Sequence, residues 1–489
     1  MKVCIVGGGS AGWMTATTFC NVLDYDVTLI ESPDIPVSGV GESTIQQIRE
    51  WIEVVGIHED EKEFLREANG TIKHSIKFTN FLEKDSGSFH YPFGLTINDP
   101  AAFWSLYLHS GELSPNEYAY YTNYVALLAE KGKVNIPWRE GAYAYHFDSI
   151  KFGQFLRKKY CSEVDHITAN VIDCQKFEDG IKSIHLDTGE NIEADLFIDC
   201  TGFKSLLLGQ FLEEPFISFT DLLPNDKAWA THVPHVDKEN MQPITECTAI
   251  ENGWVWNIPL WDKIGTGYVY SSKYVSDEDA KKEFINHLKS KGLDTEGEYK
   301  LIPMRIGRHE RTWVGNVIAI GLSAGFLEPL ESNGLLMVHE NLLDLYKTLR
   351  RGEPSALIKQ YYNSAWKVNY DTFAEFLVVH YSFSQRKDTP YWRDIFNKEY
   401  DHAKSMFENL YGMYGLGAFG RELYQESQFI FPTRGFPYIA SGMNVCPFAG
   451  PTLTYQDCLP LKAEFKKWNE TVQTYPTMYN YLKENIYKD

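Results

Sequence analysis

Apolar residues fill VCIV at 3–6, and the strand Lys2–Val6 that they predict stops at three glycines. Helical spacing follows over about 11–23, and the apolar run in YDVTLIE completes a strand–helix–strand start within about thirty residues. Residues 46–67 read as helical and acidic. Next comes ANGTIKHSIKFTNF, residues 68–81, which alternates with period two. Ile72, His74, Ile76 and Phe78 face one way; Lys73, Ser75 and Lys77 face the other. One half-buried strand is predicted, with the two lysines equivalent on one face. Residues 85–150 are irregular and rich in Tyr, Phe and Trp. DSIKFGQFLRKKY reads as an amphipathic helix, followed by strands in HITANVIDCQKFED, GIKSIHLDTG and ADLFIDCTG. Several alternating runs between 225 and 305 predict an antiparallel sheet. NVIAIGLSAGFLEPLESNG returns to a buried strand, a glycine-rich turn and a helix. Beyond about 350 the pattern is mostly helical, ending in a Tyr-, Phe- and Pro-rich segment near 426–460. There is no internal repeat and no low-complexity linker.

Composition narrows the partners. The 489 residues suffice for two or three domains, and 44% hydrophobic with 23% charged residues describe an ordinary globular chain. A net charge of −20 argues against nucleic acid, which needs a basic surface, and against anionic membranes. Aromatic content of 15% suits an aromatic-lined pocket as well as a core. Eight cysteines are scattered without a C-x-x-C pair, which fits a reducing cytoplasm rather than a disulfide scaffold or zinc site. No signal peptide and no membrane span are predicted. H-x-x-H at His232 and His235, with Asp237, lacks the one-face geometry of a helical zinc motif, so no metal is expected.

Chemistry enters with VGGGSAGWM. Gly7, Gly9 and Gly12 have G-x-G-x-x-G spacing between a strand and a helix. The first glycine permits the tight turn, the second the approach of a pyrophosphate, and the third close helix–strand packing. Glu31 ends the second strand about twenty residues on, placed to accept bonds from ribose hydroxyls. Two distant strands that end in small residues, LFIDCTGF and NVIAIGLSAG, favour FAD over NAD, since both would return to the same sheet. VSGVGESTI at 37–45 adds a glycine loop suited to lying along a flavin. GWVWNIPL, residues 253–260, sets Trp254 and Trp256 on one side of a strand that Pro259 ends.

Together with the FAD fingerprint, this W-x-W-x-I-P pattern resembles the flavin-dependent tryptophan halogenase family. GGGSAGWM, PDIPVSGVGESTI, IKHSIKF, DLFIDCTGF, WVWNIP, GTGYVYSS and FLEPLESNG fall in the family's order over about residues 1–385. The resemblance implies that reduced FAD and O2 convert a halide to hypohalous acid, which a lysine presents to an aromatic substrate. It assigns that lysine to Lys73, not Lys77, and the base for the ring proton to Glu331, with Glu328 structural. Asn333 and Gly334 would hold the halide through backbone N–H groups, although a threonine usually precedes the glycine. Ser10, Ala11, Gly39, Val40, Gly41, Glu42 and Leu327 join the cofactor set. The large tryptophans are understood to block the substrate's approach to the flavin.

The substrate side matches less well. HYPFGL puts Tyr91 where tryptophan-specific members carry histidine, beside Pro92 and Phe93. LYQESQFIFPTRGFPYIASGM keeps Phe431, Phe436 and Tyr438 as aromatic walls but has no counterpart to the family's amino-acid clamp. An indole or phenol is therefore the expected substrate, with free tryptophan as the alternative and flavin-dependent aromatic monooxygenation as a third reading. The expected architecture is α/β: a Rossmann-like FAD-binding domain, an antiparallel substrate region and a mostly helical C-terminal module. Its segments are 1–85 and 151–205 for the cofactor core, 86–150 for a pocket-lining insertion, 206–305 for the substrate-side sheet, 306–350 for the FAD- and halide-binding closure and 351–489 for the helical module. No second strand–turn–helix fingerprint serves NADH, so a separate flavin reductase is expected to supply FADH2. Homo-oligomerisation is a base-rate expectation.

Overall fold

The computed structural model describes residues 1–35, 41–136, 141–178, 180–352, 354–398, 400, 435–446, 448 and 450–488. The chain forms two discontinuous units. One comprises Met1–Gly70, Phe147–Asp221 and Met304–Asp371; the other comprises Thr71–His146, Leu222–Pro303 and Thr372–Asp489.

The first unit is built on a six-stranded sheet, in the order Trp313–Val314, Val317–Ala319, Leu196–Asp199, Lys2–Val6, Asp26–Glu31, Asp165–Thr168. All neighbours pair parallel except the first two. Cys4, Ile5, Leu29, Phe197, Ile198, Val317 and Ile318 have no solvent exposure, as a parallel sheet covered on both faces requires. Thus the segments near 197 and 317 do return beside the N-terminal strand. The predicted helix over 11–23 is an α-helix only through Ser10–Thr17, then a π-helical turn over Thr18–Val22. Hydroxyls of Thr15, Thr17 and Thr18 donate to the carbonyls of Ala11, Trp13 and Met14, a back-bonding that loosens helices.

The second unit carries a seven-stranded sheet, in the order Lys300–Pro303, Lys227–Val233, Ile264–Tyr270, Gly253–Pro259, Ile244–Ile250, Ser75–Thr79, Ser88–Pro92. It is antiparallel except where Ile244–Thr248 runs parallel to Ser75–Thr79. The stretch 85–150, read as irregular, holds the strand Ser88–Pro92 and helices Pro100–Ser110, Tyr118–Thr122 and Tyr124–Glu130. Aromatic and apolar residues such as Phe103, Trp104, Tyr118 and Leu128 are buried around these helices, so polar contrast is weak and no helical period shows in the sequence. Asp99 caps the first of them and Asn123 the third. Helices Tyr455–Val472 and Met478–Asn485 end the chain. Among the described residues no helix is long and apolar enough to cross a membrane.

Candidate active site

In the first unit the glycine turn is shaped as a cradle. Gly7 has φ +118°, and a Cβ there would lie 2.2 Å from the Cys200 carbonyl oxygen. A Cβ on Gly12 would lie 1.8 Å from the Gly7 oxygen, whereas one on Gly9 would meet nothing within 4 Å. Gly7 and Gly12 are therefore demanded by packing, while Gly9 faces open space. Gly9 precedes the helix Ser10–Thr17 and offers no side-chain cap, so its first N–H groups are available to an anion. A cleft of about 130 Å³ lies beside Gly8, Gly9 and Ser10, walled also by Glu31, Gln154 and Arg157. Glu31 Oε2 lies 3.0 Å from His166 Nε2. An uncapped helix start, glycines that leave room and a carboxylate at the strand end fit the diphosphate and ribose of FAD. Gly39 and Val40 lie outside the described residues. Gly41 and Glu42 follow, with Glu42 opening the short strand Glu42–Ser43, and burial pushes its carboxyl up to about 7.

Still in that unit, Pro329–Glu331 form a 3-10 turn, Ser332 takes the left-handed conformation at φ 56°, and the helix Gly334–Leu349 begins. Glu331, Ser332 and Asn333 are buried, as are Leu327 and Glu328. Ser332 Oγ lies 3.0 Å from Ser43 Oγ, which joins the flavin-loop motif to EPLESNG directly. The helix has no side-chain cap at Asn333, and a Cβ at Gly334 would meet nothing within 4 Å.

The second unit separates the two lysines. The predicted single strand is two, Thr71–Lys73 and Ser75–Thr79, broken at His74. The His74 N–H donates to the Pro243 carbonyl and the His74 carbonyl accepts from the Phe93 N–H, so its backbone leaves the first strand's ladder. Lys73 has 0% exposure and its Nζ lies 5.3 Å from the Phe93 ring centroid. Lys77 is 16% exposed and pairs with Glu130 at 2.8 Å. Burial alone would raise the Glu130 carboxyl, but hydrogen bonds from His90 and Lys77 outweigh it and hold it at about 2.

Burial disfavours the charged form of three histidines near these lysines. Burial lowers His74 to about 4, lowers His90, and, helped by the charge of Lys73, lowers His146 well below the usual range. His146 sits opposite Thr71 on the neighbouring strand Ala144–Phe147. Thr71 Oγ1 donates to the Pro259 carbonyl at 2.6 Å, so it accepts from His146 Nδ1 at 3.3 Å; His146 Nε2 then accepts from Thr245 Oγ1 at 2.9 Å. This chain ties the lysine strand to the end of the W-x-W-x-I-P strand. Trp254 and Trp256 are buried with ring centroids 6.2 Å apart. A Cβ at Gly267, directly across the ladder, would fall 2.1 Å from the Trp256 ring.

The aromatic candidates of this unit also gather. Tyr91 stacks with Tyr438 at 6.0 Å and meets Phe93 edge-on. Tyr438 Oη lies 2.9 Å from Thr96 Oγ1 and accepts from Asn123 Nδ2, which also donates to the Phe93 carbonyl. Pro92 and Phe436 are buried, the latter opening the helix Phe436–Gly442. Phe431 lies outside the described residues. Of the decoy pair, His235 Nε2 bonds the Leu260 carbonyl at 2.7 Å.

The family model for tryptophan halogenases matches residues 2–454. The chain belongs to the tryptophan halogenase family. Tryptophan 7-halogenase RebH of Lentzea aerocolonigenes is 37% identical over 443 residues, 85% of this chain and 82% of RebH. The apo structure of VirX1 is similar at TM-score 0.89 and 34% identity, covering 100% of this chain and 99% of its own. Xcc4156, a flavin-dependent halogenase from Xanthomonas campestris, matches at TM-score 0.89 and 26% identity, covering 99% and 98%. This halogenase is thus a flavin-dependent enzyme. The sequence reading missed His146, Thr245, Ser43 and Arg157. None carries a local signature, because each acts across a long sequence separation; only Ser43, inside a quoted motif, was within reach.

Proposed function

We propose that this halogenase substitutes halogen onto an aromatic small molecule of the indole or phenol type, using FADH2, O2 and a halide ion. The observation that supports it most is the setting of Lys73, a fully buried ammonium 5.3 Å from the ring of Phe93. Bound FADH2 supplies, with O2, the oxidising equivalents that convert halide to hypohalous acid. Gly7, Gly9, Ser10, Ala11 and Gly12 would receive the diphosphate and Glu31 the ribose, and Gly41, Glu42 and Leu327 would complete the flavin site. The N–H groups of Asn333 and Gly334 hold the halide at the positive end of a 16-residue helix.

Lys73 Nζ–H donates to the oxygen of the hypohalous acid and polarises the halogen. Ring carbon then bonds halogen, Glu331 accepts the ring proton, and the oxygen leaves as water. In sum, arene and hypohalous acid give haloarene and water. Tyr91, Pro92, Phe93, Phe436 and Tyr438 line the arene site. A separate reductase provides FADH2. Free tryptophan is the second reading, favoured by 37% identity to a tryptophan 7-halogenase.

The test supplies FAD, a flavin reductase and NADH with chloride, bromide or iodide to a panel of indoles, phenols and tryptophan. Products whose mass follows the halide support the proposal. Turnover of tryptophan alone selects the second reading, and halide-independent hydroxylation establishes a monooxygenase instead.

A further inference from the structure

We propose that Cys20 and Cys161 form an oxidisable dithiol that closes to a disulfide and weakens cofactor binding. Their sulfurs lie 4.0 Å apart, although 140 residues separate the thiols' local segments. Cys20 sits in the π-helical turn Thr18–Val22 that continues the glycine-turn helix, and Cys161 caps the C-terminal end of the helix Ser149–Tyr160. Both helices frame the cofactor cleft: Gly9 and Ser10 from one end, Ser149, Gly153 and Arg157 from the other. Ser10 Oγ donates to the Ser149 carbonyl at 3.4 Å, joining the cleft ends of the two helices, while the cysteines join their far ends.

The pair is chemically asymmetric and reachable. Cys20 is partly exposed, whereas Cys161 is buried and touches the Thr17 hydroxyl at 3.3 Å. Hydrogen bonding with Cys161 lowers the Cys20 thiol below its usual range despite burial, and the same contact raises Cys161. Cys161 also lines a cavity of about 350 Å³ whose wall includes Trp13, Arg157, Lys158 and His166, so small solutes reach the pair. Trp13, Gln154 and Arg157 are shared between this cavity and the cofactor cleft.

The oxidant is a peroxide, the by-product of any enzyme that handles reduced flavin in air. Cys20 thiolate attacks one peroxide oxygen; an S–O bond forms, the O–O bond breaks, and hydroxide leaves as water after taking a proton. Cys161 thiolate attacks the sulfenic sulfur; the S–S bond forms, the S–O bond breaks, and a second water leaves. Two thiols are oxidised by two electrons and one hydrogen peroxide is reduced to two waters. A disulfide needs S–S at about 2.05 Å, so closure draws the sulfurs together by about 2 Å. That movement displaces the last turn of Ser149–Tyr160 and with it Arg157 at the cleft wall.

The experiment treats the purified protein with graded hydrogen peroxide, alkylates residual thiols, maps linked peptides by mass spectrometry and titrates FAD by fluorescence quenching. The expected result is a Cys20–Cys161 peptide lighter by two hydrogens, formed before the other cysteines react. It is accompanied by weaker FAD binding that dithiothreitol restores. Cys20→Ser, changed at a partly exposed position, should fold, lack the link and keep its FAD affinity after peroxide. Oxidation of Cys20 without the link overturns the proposal, as does a link that leaves FAD affinity unchanged. Neither readout depends on which substrate is halogenated.

Discussion

Lys73 has no solvent exposure, and its charge is felt by its neighbours, His146 among them. Lys73→Met keeps the shape of the side chain and removes the charge. Flavin titration should show unchanged FAD affinity, and mass spectrometry should find no halogenated product. Full halogenation by this variant removes Lys73 from the mechanism. Glu331→Gln keeps the shape of a second buried side chain and removes the base, so product formation should fall by ~10²–10⁴-fold. The neighbouring histidines add a pH signature. His74 titrates near 4 in the fold against 6.5 in the unfolded chain, so the unfolded chain binds the extra proton between those values. Stability therefore falls as pH drops from about 6.5 to about 4, by ~1.4 kcal/mol per pH unit for His74. His74→Gln should flatten that slope in melting curves measured from pH 7 to 4; an unchanged slope assigns it to other groups.

Strands and turns show what the sequence could disclose. The parallel sheet was legible because strands buried on both faces read as uninterrupted apolar runs, as in VCIV and LFI. The break at His74 was not legible, because the partners that take its backbone, Pro243 and Phe93, are set by the fold. Period two made Lys73 and Lys77 equivalent; resemblance alone separated them, and in the structure Lys73 is fully buried whereas Lys77 pairs with Glu130. The helices between 100 and 130 were hidden by aromatic burial that erased polar contrast, and the Pro259–Thr71–His146–Thr245 chain by its long sequence separations. The glycine turn offers an element-scale prediction. A methyl at Gly12 would strike the Gly7 oxygen at 1.8 Å, but one at Gly9 meets no protein atom within 4 Å. Gly12→Ala should lower the melting temperature, whereas Gly9→Ala should leave it unchanged yet weaken FAD binding, because its methyl intrudes only where the diphosphate belongs. Equal effects of the two variants on stability would show that the turn serves packing alone.

At the scale of the whole molecule, the question is where the electrons enter. Among the described residues, one glycine turn follows a buried parallel strand and opens an α-helix, and that strand is Lys2–Val6 in the six-stranded sheet. The same glycine spacing recurs at Gly415, Gly417 and Gly420, outside the described residues and without an apolar strand before it in the sequence. A nicotinamide donor would need a nucleotide platform beyond the one proposed for FAD. Accordingly NADH mixed anaerobically with the FAD-loaded protein should leave the flavin absorbance near 450 nm unbleached on the timescale of turnover, a band characteristic of oxidised flavin. Addition of a flavin reductase from an unrelated source should bleach it and, on admission of air and halide, start product formation. Such exchange works because the reductant travels as a small molecule and needs no protein–protein recognition. Rapid bleaching by NADH alone would instead place a nicotinamide site in this chain, with Gly415 to Gly420 the first segment to mutate.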